Sequence, residues 1–254
     1  MKKGKFKIIL LICLCLCFAI NYFNAIREVT ILKTDKKIGD KISLIIEADR
    51  FDEHTIWIDL NNNGKKDAGE KVKHFGIFIS GMLYDLSDSY IIKSKTITIH
   101  GKIRGLYCSE NELVSLDVSK AKSLESIECA HNKLTELDVK GCTSLEKLYC
   151  GHNNFTNFDL KSYNVQTLSC GGNGFTQLEV KGTTLVNLYC GETSTLTSLK
   201  IENAPNLITL GCNDSSLTSL TITNCPKLND LNCSRNKLNA DAFTQIFNNL
   251  PQRA

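Results

Sequence analysis

From Ile103 onward the chain repeats an apolar-x-x-apolar-x-Cys pattern. Successive instances are Ile103, Leu106 and Cys108, then Leu124, Ile127 and Cys129, Leu145, Leu148 and Cys150, and Val165, Leu168 and Cys170. It continues through Leu185, Leu188 and Cys190, Leu207, Leu210 and Cys212, and Leu228, Leu231 and Cys233. The cysteines stand 20 to 22 residues apart. A period of that length predicts a solenoid, in which each coil buries its apolar side only against its neighbours. In Leu148-Tyr149-Cys150 the outer two residues of a short strand point one way and the middle residue the other. Leu and Cys therefore face a core, and Tyr faces solvent.

A second apolar stripe follows in Leu116-Asp117-Val118, Leu137-Asp138-Val139, Phe158-Asp159-Leu160, Leu178-Glu179-Val180, Leu199-Lys200-Ile201 and Leu220-Thr221-Ile222. It predicts a short strand or extended turn on the opposite wall. Its outward acids, with Lys140, Lys161 and Lys181 two residues along, read as solvated charge ladders that contribute little to stability.

Three residues after the cysteine comes Asn111, Asn132, Asn153, Asn173 or Asn236, completing the frame L-x-x-L-x-C-x-x-N-x-L of a leucine-rich repeat. The asparagine amides are expected to bond the backbone of adjacent coils, because polar groups inside a solenoid need partners. Thr193 and Ser215 depart from that column, and coil five carries an extra residue between Cys190 and Leu196, so irregularity is expected there. The predicted fold is a leucine-rich repeat solenoid of parallel β coils, 96–238, preceded by a small β module, 26–95. A C-terminal capping helix and tail, 239–254, closes it. Phe243, Ile246, Phe247 and Leu250 have helical spacing, Asn239 can cap the start, and Pro251 stops the run.

The stretches LYCSENELVSLDVS, IECAHNKLTELDVKGCTSL and LYCGHNNFTNFDLK resemble bacterial surface leucine-rich repeat proteins with a cysteine ladder, internalin-like in character. The resemblance covers about Ile103 to Leu250 and specifies a fold far better than a function. It implies a non-enzymatic binding protein, since members of the family include adhesins and host-protein binders. No sorting motif or wall anchor follows the helix, and similar proteins often continue past such a point.

The first 25 residues have a different composition. Lys2, Lys3, Lys5 and Lys7 precede an apolar run from Ile8 to Ile20, the pattern of a secretory signal peptide, 1–25. The run is shorter than the roughly 20 residues of a membrane-spanning helix, so no stable membrane span is expected after cleavage. The formal charge of +3 then changes sign, since 26 basic residues remain against 27 acidic ones. A near-neutral chain without a basic patch offers no electrostatic footprint for nucleic acid. Export invites disulfides, but seven of the remaining nine cysteines share one inward column, whose parallel side chains disfavour the torsion a disulfide requires. Cys142 and Cys225 lie four coils apart. All nine are expected to be buried thiols.

Residues 27 to 100 alternate as strands do, at 41–48, 55–60, 72–80 and 90–100, and predict an antiparallel β module. Its last run, Thr96 to Ile99, is expected to double as the cap over the first coil. Within the module, Asp59, Asn61, Asn63, Asp67 and Glu70 occupy positions 1, 3, 5, 9 and 12 of a twelve-residue loop with Gly64 at position 6. With the Lys65 carbonyl at position 7, this is the oxygen spacing of a Ca²⁺ loop. The strand-like Thr55 to Ile58 before it departs from the helix of an EF-hand, and an Asn/Gly-rich hairpin turn is the alternative.

The functional expectation is an exported protein that binds an extracellular protein or glycan on its concave sheet. The alternative is a structural, self-associating envelope or matrix protein. The five histidines form no catalytic frame with a nucleophile and an acid. Candidate ligand contacts are the mid-strand residues Tyr107, Glu128, Tyr149, Ser169 and Tyr189, bordered by Lys147, His131 and His152.

Overall fold

The computed structural model describes residues 28–79, 82–84, 88–157 and 165–250, with backbone alone for 77–79 and 82–84. The signal-like segment and the Phe158 stripe with Lys161 lie outside the described residues. In chain order the strands are β1 (Val29–Thr34), β2 (Lys41–Glu47), β3 (Trp57–Asp59), β4 (Ile77–Ile79), β5 (Met82–Tyr84), β6 (Asp88–Ile91), β7 (Thr96–His100), β8 (Gly105–Tyr107) and β9 (Leu113–Asp117). They continue as β10 (Ser126–Glu128), β11 (Lys147–Tyr149), β12 (Thr167–Ser169), β13 (Gln177–Lys181), β14 (Asn187–Tyr189), β15 (Ser198–Glu202), β16 (Thr209–Gly211), β17 (Ser219–Thr223) and β18 (Asp230–Asn232). One helix, α1 (Ala240–Asn249), follows.

The repeat period becomes a nine-stranded sheet in the order β18-β16-β14-β12-β11-β10-β8-β2-β6. From β8 to β18 the neighbours are parallel and in register, so that Leu106, Ile127, Leu148, Leu168, Leu188, Leu210 and Leu231 form one column. The column from Leu106 to Leu210 and the cysteines from Cys108 to Cys212 are buried with almost no exposure, and Leu231 at the end is partly buried. Each such leucine contributes about 1.5 to 3 kcal/mol. All nine cysteines in the described residues are free. Burial pushes the Cys129 and Cys170 thiols up to about 12, so they behave as small apolar groups.

The asparagine column joins the coils. Asn132 Nδ2 donates to the carbonyls of Cys108 and Cys129, both at 3.0 Å, while its Oδ1 accepts from the Asn111 and Leu113 amides. Asn153 and Asn173 repeat the arrangement one and two coils later. The irregular coils keep the logic with shorter side chains. Thr193 Oγ1 donates to the Cys190 and Gly191 carbonyls, and the Thr193 amide donates to Ser215 Oγ.

On the opposite wall β13, β15 and β17 form a parallel sheet, and exposed Lys200 bridges Glu179 and Glu202. Leu137 to Val139 lies outside the described strands. β9 turns instead to the module, pairing antiparallel with β1 in the sheet β3-β7-β1-β9.

The cap differs from expectation. Thr96 to Ile99 lies in β7, between β1 and β3, in a different sheet from the repeat strands β8 to β18. β2 covers the first coil, with Ile45, Ile46 and Glu47 antiparallel to Tyr107, Leu106 and Gly105. Asn111 extends the ladder into this strand, its Oδ1 accepting from the Ser43 amide and its Nδ2 donating to the Ser43 carbonyl. One apolar core therefore runs from Leu32 of the module to Ile246 of α1. At the far end Asn239 caps α1 by accepting from the Ala242 amide, but only Ile246 of its apolar face is buried, and Phe247 is 67 % exposed.

Candidate ligand-binding face and calcium-type loop

The parallel register brings Glu128, Tyr149, Ser169 and Tyr189 into one row on the outward face of the repeat sheet. Tyr189 is 43 % exposed and its ring leans over Gly211, which lacks the Cβ that would meet it. Tyr149, Glu128 and Ser169 are half-buried. Lys147 is exposed in the next column, between Ser126 and Thr167.

His131 and His152 project past the C-terminal ends of their strands. Both adopt left-handed backbone, with φ of 52° and 51°, and their rings stack 4.2 Å apart within 7° of parallel. His152 Nε2 also lies 3.5 Å from Glu192 Oε2.

Tyr107 differs from its expected exposure. At 8 % exposure it is buried, because β2 runs alongside β8. Its hydroxyl donates to Glu47 Oε1 at 3.3 Å. Partial burial pushes the Glu47 carboxyl above its ordinary value, against the opposing pull of the Tyr107 hydroxyl and Arg104.

Glu47 and Tyr107 belong to a feature that the repeat pattern does not reveal, a cleft of about 740 Å³ between the module and the first coils. Arg50, His74, Arg104 and Lys147 help to line it. Arg104 is held by a two-pronged contact to Glu125, at 2.6 and 3.0 Å, and by Asp49 at 3.1 Å. The positions just before the first three repeat strands, Arg104, Glu125 and Glu146, all reach this cleft. Their charge at one frame position was the available sequence signal. Deeper in the module, burial works against the charge of Asp88. Hydrogen bonds from His74 and from the Tyr90 hydroxyl outweigh it and hold the carboxyl below the usual range.

The twelve-residue loop leaves the end of β3 and returns at Glu70, whose carbonyl accepts from the Ile58 amide at 2.8 Å. Asp59 accepts from the Asn63 and Gly64 amides at 3.1 and 2.7 Å, and Glu70 accepts from those of Leu60 and Asp67 at 3.0 and 2.8 Å. The Asn61 and Asn63 side chains converge on Asp67 Oδ2 at 2.8 and 2.7 Å and hold that carboxyl below its ordinary value. Lys65 contributes its backbone, with its amide on Asn63 Oδ1. Among the described residues no three His, Cys, Asp or Glu side chains alone are grouped to hold a metal. The loop reaches a hard cation's ligand number only with Asn61, Asn63 and the Lys65 carbonyl.

The family model for leucine-rich repeats (two copies) matches residues 122–162. Among solved structures the chain is similar to the functional domain of InlJ from Listeria monocytogenes, which includes a cysteine ladder, at 27 % identity and a TM-score of 0.39. That match covers 53 % of this chain and 35 % of the other. No curated protein matches.

Proposed function

We infer that this cysteine-laddered leucine-rich repeat protein is an exported binding protein rather than an enzyme. Its partner is an extracellular protein or glycan docked on the concave sheet. The observation that carries this reading is the in-register row of Glu128, Tyr149, Ser169 and Tyr189, which leads at its N-terminal end towards the mixed-charge cleft. A half-exposed tyrosine offers a broad rigid ring and a hydroxyl at small entropic cost, the kind of side chain that dominates interfaces. Export is supported by the lysine-led apolar start of the sequence. Near-neutral charge beyond that start supports a partner other than nucleic acid. No helix among the described residues is long and apolar enough to cross a membrane.

The test is to screen the purified chain against arrays of extracellular proteins and glycans. Each binding partner is then measured again with a folded Tyr149→Ala, Tyr189→Ala double variant. Loss of affinity in that variant supports the concave site, and unchanged affinity moves the site to another face. A second reading, self-association into an envelope or matrix layer, draws on the apolar surface that Phe243 and Phe247 expose on α1. Salt-independent oligomers in light scattering would favour it.

A further inference from the structure

The ligand-binding reading leaves the loop from Asp59 to Glu70 without a role, and its electrostatics are unusual. Asp59 is 1 % exposed and Glu70 is not exposed at all. Their four carboxylate oxygens accept only from neutral backbone amides, and among the described residues neither side chain forms an ion pair. A third carboxylate, Asp67, joins them through the amide groups of Asn61 and Asn63. Backbone amides orient a carboxylate without neutralising it. Withdrawing a carboxylate from water costs several kcal/mol when no counter-charge is supplied. Two such groups close the ends of one loop, and no ion pair among the described residues neutralises them.

The identity of the missing counter-charge follows from the donors. All are oxygens: three carboxylates, two carboxamides and one carbonyl. No thiol or imidazole stands among the ligand positions, which disfavours a transition metal. Six residues with a glutamate at the last position, able to bind through both oxygens, exceed what Mg²⁺ accepts without keeping its waters, whereas Ca²⁺ takes six to eight oxygens in adaptable geometry.

We propose that Asp59, Asn61, Asn63, Asp67 and Glu70, with the Lys65 carbonyl, form a Ca²⁺ site that fastens the module's outer sheet to the solenoid. The attachment is visible in the loop's hydrogen bonds. Glu70 returns to Ile58 of β3, the Lys93 amide donates to the Leu60 carbonyl, and Thr98 Oγ1 of β7 lies 3.3 Å from Asn62 Oδ1. β7 pairs with β1, and β1 pairs with β9 of the first coil. An ion that closes the loop thus orders β3 and β7 and, through them, the strands that join the module to the repeats.

The experiment uses the purified chain, stripped with EDTA and titrated with CaCl₂ or MgCl₂. Heat, melting temperature and the emission of Trp57, the sole tryptophan, are followed. Ca²⁺ is expected to bind with a Kd of about 10⁻⁴ to 10⁻³ M and to raise Tm progressively as the ion exceeds that Kd. Mg²⁺ at equal concentration should do far less. Glu70→Gln risks unfolding a buried site, so the decisive variants are Asp67→Ala and Asn63→Ala, both on the exposed rim. Each should weaken Ca²⁺ binding about tenfold or more while leaving Tm in EDTA unchanged. Absence of heat and of any Tm shift at about 10 mM Ca²⁺ would overturn the proposal. So would an equal response to Mg²⁺, or unaltered affinity in both rim variants.

Discussion

Trp57 and His100 stack face to face, with ring centroids 4.0 Å apart and planes within 6°, because β3 and β7 pair antiparallel with these two residues opposite each other. Among the described residues His100 Nε2 is buried without a hydrogen-bond partner. Burial lowers its pKa from 6.5, outweighing the opposing pull of Asp59 and Glu70. The unfolded chain therefore takes up a proton at higher pH than the folded one. The contribution of His100 is fully present above about 6.5 and is lost as pH falls through the lower folded value. Melting followed by Trp57 fluorescence should show Tm level above that pH and declining below it. His100→Phe should flatten the decline, and an unchanged slope in that variant would mean another group is responsible.

Asn132 serves two coils at once, and its loss leaves the Asn111 and Leu113 amides and the Cys108 carbonyl short of a partner, while the Cys129 carbonyl keeps the Asn153 amide. Asn132→Ala should cost roughly 2 to 4 kcal/mol in urea unfolding, on the scale of about 1 to 3 per buried unsatisfied group. Asn236→Ala, at the partly exposed end of the ladder, should cost clearly less. Equal costs would show that the column is not held by burial.

The cysteines should be present as thiols but inaccessible. In a chain lacking residues 1–25, a thiol reagent is expected to label Cys233 first in the native state, since the other eight are buried. It should reach all nine after denaturation without reductant. A denatured count near one or three would reveal pairing along the column.

Tyr107 and Tyr189 occupy the same frame position yet should respond oppositely to truncation. Tyr189→Ala is expected to leave Tm nearly unchanged and to weaken partner binding by about 1 to 3 kcal/mol. Tyr107→Ala removes a buried ring packed beside β2 and should cost about 3 kcal/mol of stability. Comparable melting curves for the two would contradict the observed burial of Tyr107.

Much of the repeat region was legible in the sequence because its information is local. The spacing of Leu148, Cys150 and Asn153 fixes which side of a coil each residue faces, and any stack of such coils places Cys beside Cys and Asn beside Asn. Even the departures at Thr193 and Ser215 were visible, and the structure shows hydroxyls in place of the amide. The turn from Asp59 to Glu70 was delimited for the same reason, since the residues that hydrogen-bond across it lie within twelve consecutive positions.

What the sequence determined alone was therefore the coil: its period, its inward column of Leu and Cys, and its asparagine ladder. The tertiary structure decided how the solenoid begins. Either β2 or β7 could have covered the first coil by its alternation, and only the pairing of Ile45 with Tyr107 settles the choice. That pairing buries Tyr107, draws Glu47 over Gly105 and opens the cleft beside Arg104. The physical reason is that an antiparallel contact between residues about sixty positions apart leaves no periodic trace in either segment. A strand's alternation specifies which side faces a core but not which edge strand will complete its hydrogen bonds.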